Sequence, residues 1–424
     1  MRNFTAALAM ASIFGVGLLA PAEPSTIRLE LSAGSAVAMP LVSHGYNVRW
    51  STGSYPESNG KTLSGNGRFA VFASMANNIV RGKQMRRTWE LYLHDNRTGR
   101  NRRVTTSPAG APGNGHSDSA TISTNGRFIS YASRATNLVG QRSRAGLMYV
   151  FDRQTGKSSY AVRNLDGNPV AAYGGFAMQL SDNGRYGVFL SASDNIARGY
   201  TPSEQYQGGT KVFVADRATG SVEMISRTGA GTSPNGQSNS VSISGDGGTV
   251  AFVSSATDLP GADGDELPDV YVWTRAGGLR RAPLPRLEPW GGTLLSRDGR
   301  FLAITASDPR SAAPTKPRVY RLDLVTHDLK RLNSRKDLVA TGMTADGSAV
   351  MFSQINTYAS VRGGLYLPGS GAARQVPLPA RRRSGLTSRQ TEPSAISANG
   401  RVVLVHDSGH KGSTYFSDVY RWRR

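Results

Sequence analysis

The stretch SGNGRFAVFAS, residues 64–74, recurs along the chain in close variants. It appears as STNGRFISYAS at residues 123–133 and as SDNGRYGVFLS at residues 181–191. Alignment on the second glycine of the first stretch gives seven copies, at Gly67, Gly126, Gly184, Gly247, Gly299, Gly347 and Gly400. Because the copies are 48 to 63 residues apart, the sequence indicates one repeat architecture rather than unrelated domains.

Each copy carries the residues of a tight turn between two apolar runs. Ser or Thr stands three residues before the aligned glycine, and Asn or Asp stands directly before it. Asn-Gly and Asp-Gly favour a two-residue type I′ hairpin turn, in which both central residues have positive φ. The motif therefore predicts that each repeat opens with a β-hairpin.

The rest of each repeat supplies further strands. The run after the turn, such as FAVFAS, is apolar on both faces, which is typical of a strand covered on both sides. An aromatic run follows in register, with Tyr92, Tyr149, Phe213, Tyr271, Tyr320, Tyr366 and Tyr420. In three copies this run ends in Asp before a Thr-Gly turn, as in DNRTG at residues 95–99, and a short fourth strand follows.

Four short strands with two apolar faces must stack against neighbours, and radial stacking also protects the sheet edges. The sequence thus predicts an all-β fold, a single seven-bladed β-propeller of four-stranded antiparallel blades at residues 46–424. The last copy stops at residues 420–424, after its third strand, which would leave an unpaired edge. We expect YNVRW, residues 46–50, to close the ring as the missing outer strand.

These repeats resemble the TolB-like propeller family, whose units read as Ser-x-Asp-Gly-Lys/Arg, an apolar strand, and an aromatic strand ending in Asp. The resemblance covers residues 46–424 and implies the propeller fold. It does not imply one function, because propellers of this kind serve many roles. The α/β domain that precedes the propeller in TolB has no counterpart in the short segment at residues 23–45.

The N-terminal residues predict export. Residues 1–22 combine Arg2, an apolar run from Phe4 to Ala20, and small residues at a plausible cleavage site, so we expect a signal peptide followed by a linker at residues 23–45. The mature protein would be periplasmic or secreted, with no transmembrane segment. Because the chain has no cysteine, its stability must come from a packed core without disulfides.

The charge is strongly basic, with 50 Lys and Arg against 29 Asp and Glu, which bears on partners rather than on fold. In an up-and-down blade, the turns between the first and second and between the third and fourth strands share one face, here named the tight-turn face. The other connections share the opposite loop face, where binding residues are usually found. Basic residues predicted on the loop face include Arg142, Arg144, Lys316 and Arg318. The candidate ligand-binding residues there are Arg81, Lys83, Arg86, Arg87, Arg381, Arg382 and Arg383.

Such a basic rim would bind a protein or an anionic polymer of the cell envelope. The alternative for these residues is dispersed, solvated charge. We expect no specific nucleic-acid partner, because no nucleic-acid module is recognised. A non-enzymatic binding scaffold, monomeric and without cofactor, is the leading function. A propeller-type polysaccharide hydrolase or lyase is the alternative.

Catalytic and metal motifs are incomplete. The acidic loop at residues 256–269 lacks the EF-hand spacing, and His406 with His410 has no evident third ligand. His116-Ser117-Asp118 are consecutive and do not place a triad, and GKT at residues 60–62 lacks the upstream glycine of a phosphate loop. SGDGGT at residues 244–249 looks like a sialidase Asp-box, but it is one of the repeat turns. We therefore expect no catalytic residues and no metal site.

The arginine after the turn glycine has a predicted structural role. It begins the second strand, and the Asp of the Thr-Gly-type turn ends the third, so antiparallel pairing should bring the two together. Four copies have both residues: Arg68 with Asp95, Arg127 with Asp152, Arg185 with Asp216, and Arg300 with Asp323. We expect an ion pair in each of these copies.

Overall fold

Each copy of the motif lies in a β-sheet of its own. The computed structural model describes residues 36–37, 61–75, 79–81, 88–140, 146–173, 176–193, 195–199, 209–265, 267–285, 287–308, 317–332, 338–354, 364–366, 373–375, 378–379, 387–411 and 414–423. All of these fall in the compact unit Ala33–Arg424. Five sheets have four strands and two have three, with neighbouring strands in sequence order and antiparallel. The described part of the chain is thus an all-β propeller of antiparallel blades, as predicted.

The first three sheets hold the copies that match one another best. The first contains β2 (Phe69–Ser74), β3 (Glu90–Asp95) and β4 (Arg100–Arg103). The second contains β5 (Ser117–Ile122), β6 (Phe128–Ser133), β7 (Leu147–Asp152) and β8 (Lys157–Tyr160). The third contains β9 (Gln179–Leu180), β10 (Tyr186–Ser191), β11 (Lys211–Asp216) and β12 (Ser221–Met224). An isolated bridge between Leu63 and Ala70 supplies an inner element to the first sheet.

The remaining sheets continue the same order. The fourth contains β13 (Ser238–Ile243), β14 (Thr249–Ser254), β15 (Asp269–Thr274) and β16 (Gly278–Arg281). The fifth contains β17 (Glu288–Leu295), β18 (Phe301–Ser307), β19 (Arg318–Asp323) and β20 (Leu329–Arg331). The sixth contains β21 (Leu338–Met343), β22 (Val350–Gln354), β23 (Gly364–Tyr366) and β24 (Ala373–Gln375). The seventh contains β26 (Thr387–Ile396), β27 (Val402–Lys411) and β28 (Thr414–Arg423).

One pairing lies outside these sheets. Strands β1 (Ala36–Val37) and β25 (Leu378–Pro379) pair in parallel, so part of the segment expected to be a linker is in a strand. Residues 46–50, the expected closing strand, and residues 1–22, the expected signal peptide, lie outside the described residues.

The repeated turn differs from the expected type I′ geometry. Gly67 has a φ of +72°, but no Asn or Asp that precedes a turn glycine has positive φ in the described chain, so the predicted turn type is wrong. Ser64 Oγ accepts a hydrogen bond from the backbone nitrogen of Phe69 at 2.9 Å and donates to Asn66 Oδ1 at 3.0 Å. Asn66 Oδ1 also accepts from the backbone nitrogen of Arg68 at 3.0 Å. The serine hydroxyl and the asparagine side chain thus take up backbone donors of the turn, as Ser and Asn commonly do.

The turn glycines also allow neighbouring blades to approach closely. A Cβ added at Gly126 would lie 2.6 Å from the ring of Phe69 in the preceding sheet, and one at Gly184 would lie 2.4 Å from Phe128. The same relationship joins the last sheet to the first, since a Cβ at Gly67 would lie 2.5 Å from Val402. Glycine is therefore needed at these positions for inter-blade packing as well as for positive φ.

The core lies between the sheets. The predicted aromatic register is present in the first four sheets, where rings on the second and third strands stack at centroid distances of 5.5 to 5.7 Å. Tyr92, Tyr149 and Phe213 are fully buried. In the sixth sheet the residue paired with Tyr366 on the neighbouring strand is Val350, which is not aromatic.

Candidate functional site

The residue between the Ser/Thr and the Asn/Asp of each turn faces the central axis. Backbone hydrogen bonds of 2.7 to 3.4 Å connect the turns of successive copies, and the last turn bonds to the first through Ala398 N and Gly65 O at 2.9 Å. The axial residues are Gly65, Thr124, Asp182, Gly245, Arg297, Ala345 and Ala398. They form the mouth of the channel on the tight-turn face.

An ion pair crosses this mouth. Arg297 Nε donates to Asp182 Oδ2, and Thr124 Oγ1 donates to Asp182 Oδ1 at 2.5 Å. Asp182 and Arg297 belong to the third and fifth copies, and Gly245 of the fourth lies close to both side chains. A Cβ at Gly245 would come within 2.6 Å of both side chains, so the glycine provides the space that the pair occupies.

Above the mouth lies an open cup, and below it a small cavity. The cup has a volume of about 680 Å³ and is lined in part by the turn residues Asn66, Asn125, Asn183, Asp346 and Asn399. The cavity has a volume of about 90 Å³. One apolar side chain from each copy surrounds this cavity: Leu63, Ile122, Leu180, Ile243, Leu295, Met343 and Ile396.

Lys61 is the charged residue within this apolar layer. Its Nζ donates to the backbone oxygen of Ile243, on the fourth sheet, at 2.8 Å. Lys61 lines the cavity and is half-buried. Burial lowers the pKa of Lys61 to about 8, although the charge of Asp182 acts in the opposite direction. Lys61 therefore places an ammonium group on the floor beneath the cup.

Sequence reasoning missed this arrangement. The residue between the Ser or Thr and the Asn or Asp of each turn varies between copies. This variation within an otherwise regular motif was the available signal for the axial residues. Lys61 attracted notice in the sequence only as part of GKT, where it does not form a phosphate loop.

Of the predicted ligand-binding residues, the structure describes Arg81. Arg81 is exposed after β2, on the loop face. The others, Lys83, Arg86, Arg87 and Arg381, Arg382 and Arg383, lie outside the described residues, as do Arg142, Arg144 and Lys316. Arg318 does not belong to an exposed rim, because it begins β19 and is 9% exposed.

The carboxylates of the acidic loop at residues 256–269 are bound by protein groups. Arg281 forms ion pairs with Asp263 and with Asp269, the latter at 2.6 Å. Asp258 accepts a hydrogen bond from the backbone nitrogen of Asn235 at 3.0 Å. Within the described ranges, no three His, Cys, Asp or Glu side chains are grouped to hold a metal ion.

The other candidates do not form a described catalytic group. His116 Nδ1 accepts a hydrogen bond from the backbone nitrogen of Trp89 at 3.1 Å, and Ser117 Oγ contacts Ser133 Oγ at 2.7 Å. Burial raises the pKa of Asp118. His406 and His410 both lie on β27, but the side chain of His410 is outside the described part of the molecule.

The arginines of the tight-turn face are engaged in structural contacts. All four predicted ion pairs are present, with N–O distances of 2.7 to 2.9 Å. Each of these arginines also lies over the aromatic ring that follows it, as Arg127 does over Phe128 at 4.7 Å. A second arginine, from the next blade, packs on the ring of Phe128. The guanidinium carbon of Arg217 lies 4.7 Å from the centroid of this ring, and Arg217 also donates to Gly184 O. These side chains join neighbouring blades.

Among the described residues, no helix is long and apolar enough to span a bilayer. No protein-family model matches the sequence, and a comparison with curated proteins gives no significant match.

Solved structures show similar folds at low sequence identity. An oligogalacturonate lyase in complex with manganese matches with a TM-score of 0.55 and 13% identity, over 93% of this chain and 98% of that chain. The β-propeller domain of the Trilobed protease from Pyrococcus furiosus matches with a TM-score of 0.51 and 11% identity, over 84% and 92%. TolB from Acinetobacter baumannii matches with a TM-score of 0.41 and 13% identity, over 84% and 81%. The likeness to the lyase and to the protease domain shows the propeller fold and not a function.

Proposed function

We propose that this protein is an exported, non-enzymatic propeller that binds an acidic protein or an anionic envelope polymer through its loop face. The observation that carries the proposal is the distribution of exposed apolar side chains. Five large ones are exposed among the described residues, and Leu165, Tyr173, Leu267 and Trp290 lie in loop-face segments. The fifth exposed apolar side chain, Val325, lies on the tight-turn face. Variable loops on a rigid scaffold are where binding residues are usually found, and exposed apolar side chains there can contact a partner.

Trp290 is the strongest contact candidate. It is 48% exposed, and it lies near the start of β17, at the loop-face end of the strand. The pairing of β17 with β18 shifts between Pro289 and Thr293, and such bulges often redirect a side chain at a functional surface. Tyr173, which is 40% exposed, lies in the connection between the second and third sheets.

The basic residues of the loop face would add electrostatic attraction. Arg81 is exposed there, and Lys83, Arg86, Arg87 and Arg381, Arg382 and Arg383 are proposed to lie nearby. The paired and stacked arginines of the opposite face are less available to a ligand. A polyanion held in this way should dissociate as the salt concentration rises, because binding releases counterions.

The test is retention on immobilised polygalacturonate at low and high salt, with uncharged dextran as the reference matrix. Trp290→Ala and the combined variant R86A/R87A/R381A/R382A should weaken retention, while Val325→Ser should not. Equal retention of all variants, or retention independent of salt, would refute loop-face binding. Release of unsaturated sugars, detected by ultraviolet absorbance, would instead support a lyase.

We also propose that the propeller is a closed ring of seven blades. The hydrogen bond from Ala398 to Gly65, the contact between Val402 and Gly67, and the three-stranded last sheet support this. In the proposed ring, residues 46–50 pair with β28 as the outer strand of the last blade. Deletion of residues 23–51 should then expose that edge and cause aggregation or a large loss of stability, whereas unchanged melting and solubility would contradict the pairing.

A further inference from the structure

The ammonium group of Lys61 makes no ion pair with a carboxylate in the described part of the chain, and Asp182, the carboxylate whose charge acts on it, is already bound by Arg297. Its hydrogen bond goes to the neutral backbone oxygen of Ile243, and no carboxylate there pairs with it directly. A charged group removed from water is costly unless an opposite charge compensates it. This makes the cavity around Lys61 a place where an external anion would be stabilised.

The cavity opens towards the cup through a neck of small residues. Gly65, Ala345 and Ala398 have at most a methyl side chain, and they line both the cup and the cavity. Arg297 and Asp182 stand on the other side of the neck. A narrow group can therefore reach Lys61 from the cup, because little side-chain volume blocks the path beside the alanines.

The charges around the neck favour a single negative charge. Lys61 and Arg297 each carry a positive charge, and Asp182 offsets one of them. Asp346, on the rim of the cup, is the other acidic residue that lines it, and its Oδ1 accepts hydrogen bonds from Thr344 and from the backbone of Ser348. A divalent anion would be repelled by Asp182 and Asp346 more strongly than a monovalent one.

The rim supplies donors for a polar ligand body. In the asparagines at the rim, the turn already uses the side-chain oxygen, as Asn125 Oδ1 does in accepting from Ser123 and from the backbone of Arg127. The amide nitrogen is then the group that can face a ligand. Four copies present this amide, at Asn66, Asn125, Asn183 and Asn399.

We propose that the axial cup binds a small monovalent carboxylate whose polar body, of the size of one sugar, lies among the asparagine amides. The carboxylate enters the cavity and accepts hydrogen bonds from Lys61 and Arg297. A volume of about 90 Å³ accommodates this group, because a single water needs only about 10–15 Å³ by the same measure. This site lies on the tight-turn face, so it is independent of the proposed loop-face function.

Calorimetry with glucuronate and with glucose, which differ by the carboxylate, tests the proposal. Wild-type protein should bind glucuronate and not glucose. Lys61→Met, which keeps the chain length and removes the charge, should weaken glucuronate binding by about tenfold or more. Ala345→Leu, which narrows the neck and leaves Lys61 intact, should weaken it similarly.

Arg97→Ala is the matched control, because Arg97 is an exposed arginine on the same face but does not line the cup. This variant loses one positive charge and should bind as the wild type does. A second readout is the NMR titration of Lys61, since a bound carboxylate should raise its pKa above about 8. Equal binding of glucuronate and glucose, no binding of either, or wild-type affinity in Lys61→Met would overturn the proposal, whatever the outcome at the loop face.

Discussion

Arg127 donates from both Nε and Nη2 to the carboxylate of Asp152, at 3.1 and 2.8 Å. The pair joins the start of β6 to the end of β7, as the antiparallel register predicts. A double-mutant cycle of Arg127→Ala and Asp152→Ala should give a small favourable coupling that decreases with added salt, because the guanidinium is partly exposed. Urea unfolding of the four proteins measures it. Additive effects of the two substitutions would show that the contact contributes nothing to stability.

The pair of Arg68 with Asp95 should make stability depend on pH in the acid range. The hydrogen bond from Arg68, helped by the backbone of Arg97, lowers the pKa of Asp95 to about 2. Since the folded pKa lies below that of the unfolded chain, the contribution is complete above about pH 4 and is lost as the pH falls through about 2. Asp95→Asn should therefore destabilise the protein at neutral pH and have a diminishing effect towards pH 2. Urea unfolding of the wild type and of Asp95→Asn across this pH range measures the effect. A difference between their midpoints that did not change with pH would contradict a lowered pKa for Asp95.

The features that the sequence predicted are those fixed by pairing register. Once the hairpin motif is aligned, Arg185 must stand near Asp216, and Phe189 must face Phe213. The predicted turn type was wrong because the Asn-Gly signal ignores the hydroxyl three residues before the glycine. This hydroxyl belongs to serine in six copies and to Thr344 in the sixth, and it accepts a backbone hydrogen bond in all seven. The axial cup could not be predicted, because Asp182 and Arg297 are 115 residues apart and meet only when the blades stack radially.

Lys61 should make the protein more stable as the pH rises above neutrality. Burial lowers its pKa in the folded state from 10.5 to about 8, so between these values the unfolded chain binds more protons than the folded one. Stability due to this group therefore increases through that interval. Lys61→Met should be more stable than the wild type at pH 7, and the two should converge towards about pH 10. Unfolding curves in which the wild type is the more stable protein at pH 7 would contradict a desolvated lysine.

His327 lies in the turn between the third and fourth strands, at a position where other copies have glycine. Its φ is +62°, and its nitrogen bonds to Asp323 O at 2.8 Å, as that of Gly99 does to Asp95 O. A side chain in this conformation costs about 1–2 kcal/mol, and the flexibility of glycine in the unfolded chain offsets about 0.5–1 kcal/mol of this. His327→Gly should thus stabilise the protein slightly, by about 0.5 kcal/mol. Because His327 is exposed, a loss of stability would mean that its side chain makes a stabilising contact.

Gly67 and Gly99 provide a matched test of the contact between the last and first sheets. Their φ angles are +72° and +71°, so replacement by alanine imposes the same backbone strain, about 1 kcal/mol after the entropy of glycine is considered. An added Cβ at Gly99 meets nothing within 4 Å, whereas one at Gly67 meets two side-chain atoms of Val402 within 2.7 Å. Gly67→Ala should therefore destabilise the protein clearly more than Gly99→Ala, because Val402 is buried in a packed apolar cluster, where an added methyl group meets steric resistance. The double variant G67A/V402A removes the contact at 2.5 Å with Val402 Cγ2 and keeps the one at 2.7 Å with Val402 Cβ, so it should relieve the clash only in part. Equal destabilisation by Gly67→Ala and Gly99→Ala in thermal or urea unfolding would mean that the first and last blades do not meet in solution, and the proposed ring would then be open.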